Sequence, residues 1–338
     1  MKIGIIGGTG SGKTTFIAAL KIAAMQSRSG DWIIVGNDEQ FEESTALMAR
    51  NRAMLSRREF PPRTEKITHQ GYFLQGSITP NMVTIVSKVM GVKFPALFGR
   101  SQAVTYSLEF WDFPGGEFIK FDSHHENWQY LASCNALIYL YDPILDATEG
   151  PSNYEYLELS VEYIYQILKS RRDLVNGRLP QLLAVCLSKL DDKRVFDRLR
   201  VEHLVSTNYV DQKQVPCINN GRRAFELFAD TMTIATIDRL FIKDRSQYFA
   251  VSSVGFFENA SGVIDLDDCD NSTSTEQSPS DLKSELLDRV AKRYGIDHEQ
   301  PIGNSRASKI RGKVIPAYVF DPFVWFHSKM LGTNAGYV

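Results

Sequence analysis

Residues 7–14 read Gly-Gly-Thr-Gly-Ser-Gly-Lys-Thr and follow directly on the apolar run Ile3-Gly4-Ile5-Ile6. The run reads as a buried strand, the glycines as a tight turn, and Phe16-Ile17-Ala18-Ala19-Leu20 as the start of an apolar helix face. Glycine lets backbone N–H groups close around an anion without Cβ clashes, and a helix N-terminus adds positive partial charge. The spacing G-x-x-x-x-G-K-[ST] is that of a phosphate loop. Gly7, Thr9, Gly10, Ser11, Gly12, Lys13, Thr14 and Thr15 would wrap a polyphosphate. Lys13 would reach the β- and γ-phosphates, and the Thr14 hydroxyl would hold Mg2+. The chain is therefore expected to bind a nucleoside triphosphate.

Such a loop needs a sheet behind it, and 338 residues with 43% hydrophobic content can bury one enlarged domain or two small ones. A net charge of −2 gives no basic bias, so no nucleic-acid partner is expected. Cys134, Cys186, Cys217 and Cys269 lie far apart with no C-x-x-C pair, which argues against a metal cluster or a disulfide framework and for a reducing compartment. Met1-Lys2 enters the first strand directly, leaving no room for a signal peptide, and no run reaches the ~18 apolar residues of a membrane span. A cytoplasmic protein is the expectation.

Strand-like runs occur at 3–6, 32–35, 72–78, 105–111, 136–141, 181–187 and 247–252. Helical periodicity separates most of them, at 13–26, 41–56, 154–170 and diffusely over 224–241. Alternation of this kind predicts an α/β fold with a mostly parallel sheet and helices on both faces. Residues 1–258 plus 314–331 are expected to form the nucleotide-binding domain. Residues 79–104 would be an insert between two strands. Residues 259–313 would add an acidic flexible loop, a short helix at 283–294 and a basic loop carrying Arg306, Lys309, Arg311 and Lys313. The aromatic cluster Phe323-Val324-Trp325-Phe326 reads as core, with partner docking as the alternative.

Three further motifs narrow the nucleotide. Strand 105–111 runs into Asp112-Phe113-Pro114-Gly115, a D-x-x-G. An acidic group at that strand tip is placed to bind Mg2+ through water, and the Gly115 N–H can meet a γ-phosphate oxygen. Strand 181–187 ends in Ser188-Lys189-Leu190-Asp191, where a lysine stem would lie over a purine face and the Asp191 carboxylate would accept two N–H bonds from guanine. Adenine lacks that donor pair and would leave the carboxylate unpaired. The last long strand ends in Val251-Ser252-Ser253, whose backbone and hydroxyls would approach the base O6.

With these residues, GGTGSGKT at 7–14, DFPG at 112–115, SKLD at 188–191 and SSV at 252–254, the chain resembles the Ras-like GTPases of the TRAFAC class. Ser188 departs from the family's usual Asn or Thr. A looser likeness, through Phe60-Pro61-Pro62-Arg63-Thr64 and the C-terminal stretch 315–326, is to the prokaryotic double-GTPase branch, whose genes commonly sit in signalling or conflict systems. The resemblance implies a P-loop NTPase fold, GTP and GDP as ligands, Mg2+ as cofactor, and a protein effector or activator bound through the switch regions at 58–68 and 113–130. It also implies a switch threonine on Mg2+ and the γ-phosphate, for which Thr64 is the candidate and Thr68 the second. Lys13, Thr64 and Gly115 would then carry catalysis, with Thr14, Thr64 and Asp112 around the metal.

The position after D-x-x-G, where many Ras-like members place a water-orienting glutamine, holds Gly116 followed by Glu117. Glycine cannot orient water, and a Glu117 carboxylate beside the γ-phosphate would suffer like-charge repulsion, so hydrolysis is expected to be slow alone, rescued by another residue, or completed by a partner. Arg57, Arg58 and Arg63 are candidates for an internal arginine finger, while His124 and His125 read as surface residues near a helix start. Two other functions remain open at this point. A P-loop kinase of small molecules would use the basic loop at 306–313 as a lid, and a nucleotide-dependent scaffold would bind without turnover.

Overall fold

Parallel pairing around the first strand organises the molecule. The computed structural model describes residues 1–8, 10–26, 32–36, 41–62, 68–78, 102–112, 125–144, 152–210, 213–273 and 309–334. Its strands are β1 (Lys2–Ile6), β2 (Ile33–Gly36), β3 (Thr68–Ile78), β4 (Gln102–Asp112), β5 (Ala136–Tyr141), β6 (Leu182–Leu187), β7 (Val205–Val210), β8 (Lys213–Ile218) and β9 (Ser246–Ala250), with the two-residue strands β10 (Ser272–Thr273) and β11 (Lys309–Ile310). Its helices are α1 (Lys13–Gln26), α2 (Phe41–Ser56), α3 (His125–Ala132), α4 (Asn153–Arg171), α5 (Lys193–Val201), α6 (Gly221–Glu226), α7 (Thr231–Leu240) and α8 (Asp321–Asn334).

The main sheet has seven strands in the order β2-β3-β4-β1-β5-β6-β9. From β4 to β9 every neighbour is parallel, whereas β3 runs antiparallel to both β2 and β4. Parallel strands must be covered on both faces, and the sequence complies: all six residues of β5, Ala-Leu-Ile-Tyr-Leu-Tyr, are buried. Alternate side chains sort into two cores. Leu137, Tyr139, Tyr141, Val185 and Leu187 pack with Trp128 of α3 and with Leu157 and Ile164 of α4. Ile138, Leu140, Ala184 and Cys186 pack with Phe16 and Leu20 of α1 and with Phe323, Trp325 and Phe326 of α8. The aromatic cluster of α8 is therefore core, each ring being no more than 2% exposed.

Helix α1 is apolar around most of its circumference because it is covered twice. One side meets the sheet. The other side, through Ala18 and Ile22, joins Leu55, Val254, Ile310 and Val314 in a third apolar cluster, with Phe60 packed against it. Helix ends follow local chemistry. Ser152 caps α4 in a reciprocal box with Glu155, and Asp192 caps α5 by accepting from the Arg194 N–H.

Several expectations meet a different structure. The β7–β8 hairpin was not foreseen: its strands are largely polar and contain Pro216, which pairs opposite Thr207 in a two-stranded sheet. The diffuse helical region resolves into α6 and α7, separated by the Asp230 cap. The expected insert 79–104 loses its last residues to β4, which begins at Gln102, and its remainder lies outside the described residues. The first part of the expected acidic flexible loop, 259–273, is tied into the body: Cys269 and Asn271 are buried, and the Phe257 N–H donates to the Cys269 carbonyl at 2.9 Å. The helix expected at 283–294 and the basic residue Arg306 lie outside the described residues. All four cysteines are buried free thiols. Among the described residues no helix is long and apolar enough to cross a membrane.

Candidate nucleotide site

The C-terminal ends of five neighbouring parallel strands open on one edge of the sheet, the position where open α/β sheets bind ligands. Register fixes which residues meet there. Ile5 stands opposite Phe110, Ile6 opposite Tyr139, Tyr141 opposite Leu187, and Leu187 opposite Ala250. The phosphate loop, Asp112, Asp142, the SKLD loop and the Ser252-Ser253 pair all begin within two residues of these positions.

The loop after β1 has the backbone that its glycines allow. Gly10 and Gly12 adopt φ of 78° and 88°, and a Cβ on either would meet nothing within 4 Å. Gly7 is tighter, since a Cβ there would lie 2.6 Å from the Leu140 carbonyl oxygen and 2.7 Å from Ser11 Oγ. The Ser11 N–H donates back to the Gly8 carbonyl at 3.1 Å, closing the turn. Lys13 is only 3% exposed, and its Nζ donates to the Gly7 and Gly8 carbonyls at 2.8 and 3.0 Å. It also lies 5.7 Å from the centre of the Tyr156 ring on α4. The Ser11 hydroxyl is buried without a hydrogen-bond partner among the described residues. A buried ammonium folded over a turn of open glycines, beside an orphaned hydroxyl, suits a polyphosphate. Thr14 and Thr15 are half-buried in the first turn of α1.

The part of the edge where the sequence places a base is built from β6 and β9. Ser188 donates both its N–H and its hydroxyl to the Tyr141 carbonyl, each at 2.9 Å. Lys189 takes a left-handed backbone, φ 57°, and the Asp192 N–H donates to its carbonyl at 2.9 Å, so the loop is a tight turn. Asp191 is 3% exposed and accepts a hydrogen bond from the Ser252 hydroxyl. Burial pushes its carboxyl up to about 6; the Ser252 bond works against this, and Asp270 and Asp192 add to it.

Ser252 is engaged on every polar atom within the protein. Its hydroxyl is spent on Asp191 while also accepting from the Gly255 N–H at 2.7 Å. Its N–H and carbonyl pair with Ala317 at 3.1 and 2.8 Å. Ser252 thus holds the Asp191 carboxylate and the Gly255 N–H through one hydroxyl. Ser253 is half-buried beside it.

The chain that engages Ser252 is a C-terminal strap that the motifs gave no sign of. Ile315 donates to the Val254 carbonyl at 3.0 Å, and Gly255 (φ 77°) lies so close that a Cβ would stand 1.8 Å from the Ile315 carbonyl oxygen. The same strap holds Arg58: Ile310 donates to its carbonyl at 2.9 Å, and its guanidinium donates to the Arg311 carbonyl at 3.2 Å. Arg58 is thereby tied to the strap.

Two more residues at the sheet edge carried no motif. Asp142, at the tip of β5, accepts from Lys189 Nζ at 2.6 Å, and Asn153 of α4 brackets the Asp142 peptide from both sides. A polar residue directly after an apolar strand was the only available signal. Thr9, Arg63, Thr64 and Gly115 lie outside the described residues, as do Gly116 and Glu117. Asp112 ends β4 with its side chain undescribed, and Thr68 begins β3 likewise.

No family model and no curated protein sequence matches the chain. Among solved structures it is similar to the S. cerevisiae Ski7 GTPase-like domain bound to GDP and inorganic phosphate, at 13% identity over 89% of this chain and 51% of that one, TM-score 0.33. It is also similar to the Arl6 BBS3 small GTPase from Trypanosoma brucei with bound GppNp, at 13% identity, 87% and 98% coverage and TM-score 0.27. A third similarity is to sup35 complexed with GDP, at 12% identity, 85% and 43% coverage and TM-score 0.29. The chain spans about half the length of the Ski7 chain it matches. The fold assignment rests on strand order and direction, which make this an α/β sheet with a phosphate loop at its central strand.

Proposed function

We propose that this protein is a GTP-binding switch with slow Mg2+-dependent GTP hydrolysis, completed by a protein partner. One observation carries the reading. A buried carboxylate, Asp191, follows β6 on the same sheet edge as the Lys13 loop that follows β1, and the Ser252 hydroxyl from the tip of β9 orients it. In this reading the phosphates lie on the 7–15 turn, with Lys13 moving from the Gly7 and Gly8 carbonyls to phosphate oxygens of similar reach. Thr14, Asp112 and a switch threonine, Thr64 or Thr68, would hold Mg2+, which supplies charge neutralisation between the β- and γ-phosphates. Guanine N1–H and N2–H would donate to Asp191, and Lys189 would lie along the ring.

Because Gly116 offers no group to orient water, turnover depends on another chain, and the stretches at 58–68 and 113–130 are where such a partner would sense the γ-phosphate. The test is a base swap. Asp191→Asn replaces an acceptor pair with a mixed donor and acceptor, so nucleotide titration should show GTP affinity falling by about a hundredfold or more and preference moving to XTP. Unchanged base preference would separate Asp191 from the base and overturn the guanine reading. Transfer of labelled γ-phosphate to a metabolite instead of water would establish a kinase, and GTP binding without phosphate release under any partner a scaffold.

A further inference from the structure

The lysine expected to lie over the base is pinned by a carboxylate that no motif contains. Lys189 Nζ donates to Asp142 Oδ2 at 2.6 Å, across the junction between β5 and β6. The Asp142 side chain is 1% exposed and that of Lys189 34%. The other carboxylate oxygen of Asp142 accepts from the Ile144 N–H at 3.1 Å, so the acid cannot rotate freely. Its backbone is fixed as well: the Asp142 N–H donates to Asn153 Oδ1 at 3.4 Å, while Asn153 Nδ2 donates to the Asp142 carbonyl at 2.6 Å. Asn153 opens α4, three residues before Tyr156, whose ring faces the Lys13 ammonium.

From this arrangement we propose that Asp142 is a positioning residue for nucleotide binding, holding the Lys189 stem against the base while Asn153 holds Asp142. The inference rests on the GTP reading above. Its physical basis is freedom. A lysine stem has four rotatable bonds, and a stem that must be ordered on binding costs affinity. A buried, hydrogen-bonded carboxylate orders it beforehand, and the charge-assisted bond also neutralises the ammonium beside the ring. The loop does not depend on this bond for its shape. Ser188 still holds the Tyr141 carbonyl twice, and Leu190 still donates to the Val251 carbonyl at 3.2 Å. Loss of Asp142 therefore frees one side chain without undoing the turn.

A double-mutant cycle on the full chain, read by titration with a fluorescent GTP analogue in Mg2+, tests it. Asp142→Asn should weaken GTP binding about tenfold. In a Lys189→Met background, where the stem remains but has no charge to pin, the same substitution should change affinity less than twofold. If Asp142 merely supported the fold, the loss would be equal in both backgrounds, and that result overturns the proposal, as does no loss in either. Should Asp142→Asn not fold, Asp142→Glu, which shifts the carboxylate by one methylene, carries the same cycle. Wild-type protein that binds no GTP defeats the functional reading itself, whereas wild-type binding with no coupling defeats only the role of Asp142.

Discussion

At the scale of single residues, the phosphate turn is governed by atoms rather than by average composition. Gly7→Ala would drive a Cβ to 2.6 Å from the Leu140 carbonyl oxygen, a backbone atom that β5 cannot move cheaply. We expect a stability loss of about 2 kcal/mol, visible as a lower melting temperature, together with weakened triphosphate binding. Asp191 sets a pH dependence whose sign differs for binding and folding. Its carboxyl is raised to about 6, so as pH falls through 6 it gains a proton and loses its acceptor pair for guanine. GTP affinity should fall up to tenfold per pH unit below that point, with ATP affinity flat and the trend gone in Asp191→Asn, which titration at pH 5 to 8 would read. Stability of the free protein moves the other way. A folded-state value above the unfolded one penalises the charged form above pH 6, and the penalty fades as pH falls toward 4. The sequence singles out Lys13 and Asp191 because each belongs to a contiguous motif. It does not single out Asp142, whose meaning comes from Lys189, 47 residues away, and from Asn153.

At the scale of elements, the apolar strands and the long helices declared themselves. Helices 13–26 and 41–56 fall where their periodicity ends, and α4 covers 153–171 against an expected 154–170. What escaped was structure held by polar atoms. The stretch around Asp265–Asp270 has the composition of a solvated loop, yet Asn271 inside it is fully buried and works as a three-way tie. Its Nδ2 donates to the Val254 and Lys313 carbonyls at 3.1 and 3.3 Å, and its Oδ1 accepts from Gly312 at 2.6 Å. Asp268 adds a forked ion pair with Arg311, whose guanidinium also lies 3.7 Å from the Phe257 ring centre. Asn271→Ala should therefore cost about 2–4 kcal/mol in chemical denaturation, with nucleotide binding reduced because the 252–255 turn loses its outer support. A substitution with no effect on stability would mean the strap is held by its apolar residues Ile310 and Val314 instead.

At the scale of the whole molecule, three cores and one sheet edge divide the labour. Burial on both faces of β1, β5 and β6 fixes the strand tips, and the loops beyond those tips hold the candidate site residues. The strap at 309–317 touches the turn after β9, the end of α1 through Gln26, and Arg58 at the exit of α2. It thus braces the turn behind Asp191 and the entry to the expected first switch in one piece of chain. A reading from motifs places candidate residues on one sheet edge but says nothing of the strap, because the strap's contacts are backbone bonds between segments far apart in sequence. The central claim is that the edge formed by the ends of β1, β4, β5, β6 and β9 holds Mg·GTP with guanine chosen by Asp191. Competitive titration of the wild-type protein with GTP and ATP in Mg2+ tests it most directly. The account predicts GTP bound at least a hundredfold more tightly; ATP affinity equal to or above that of GTP would contradict it.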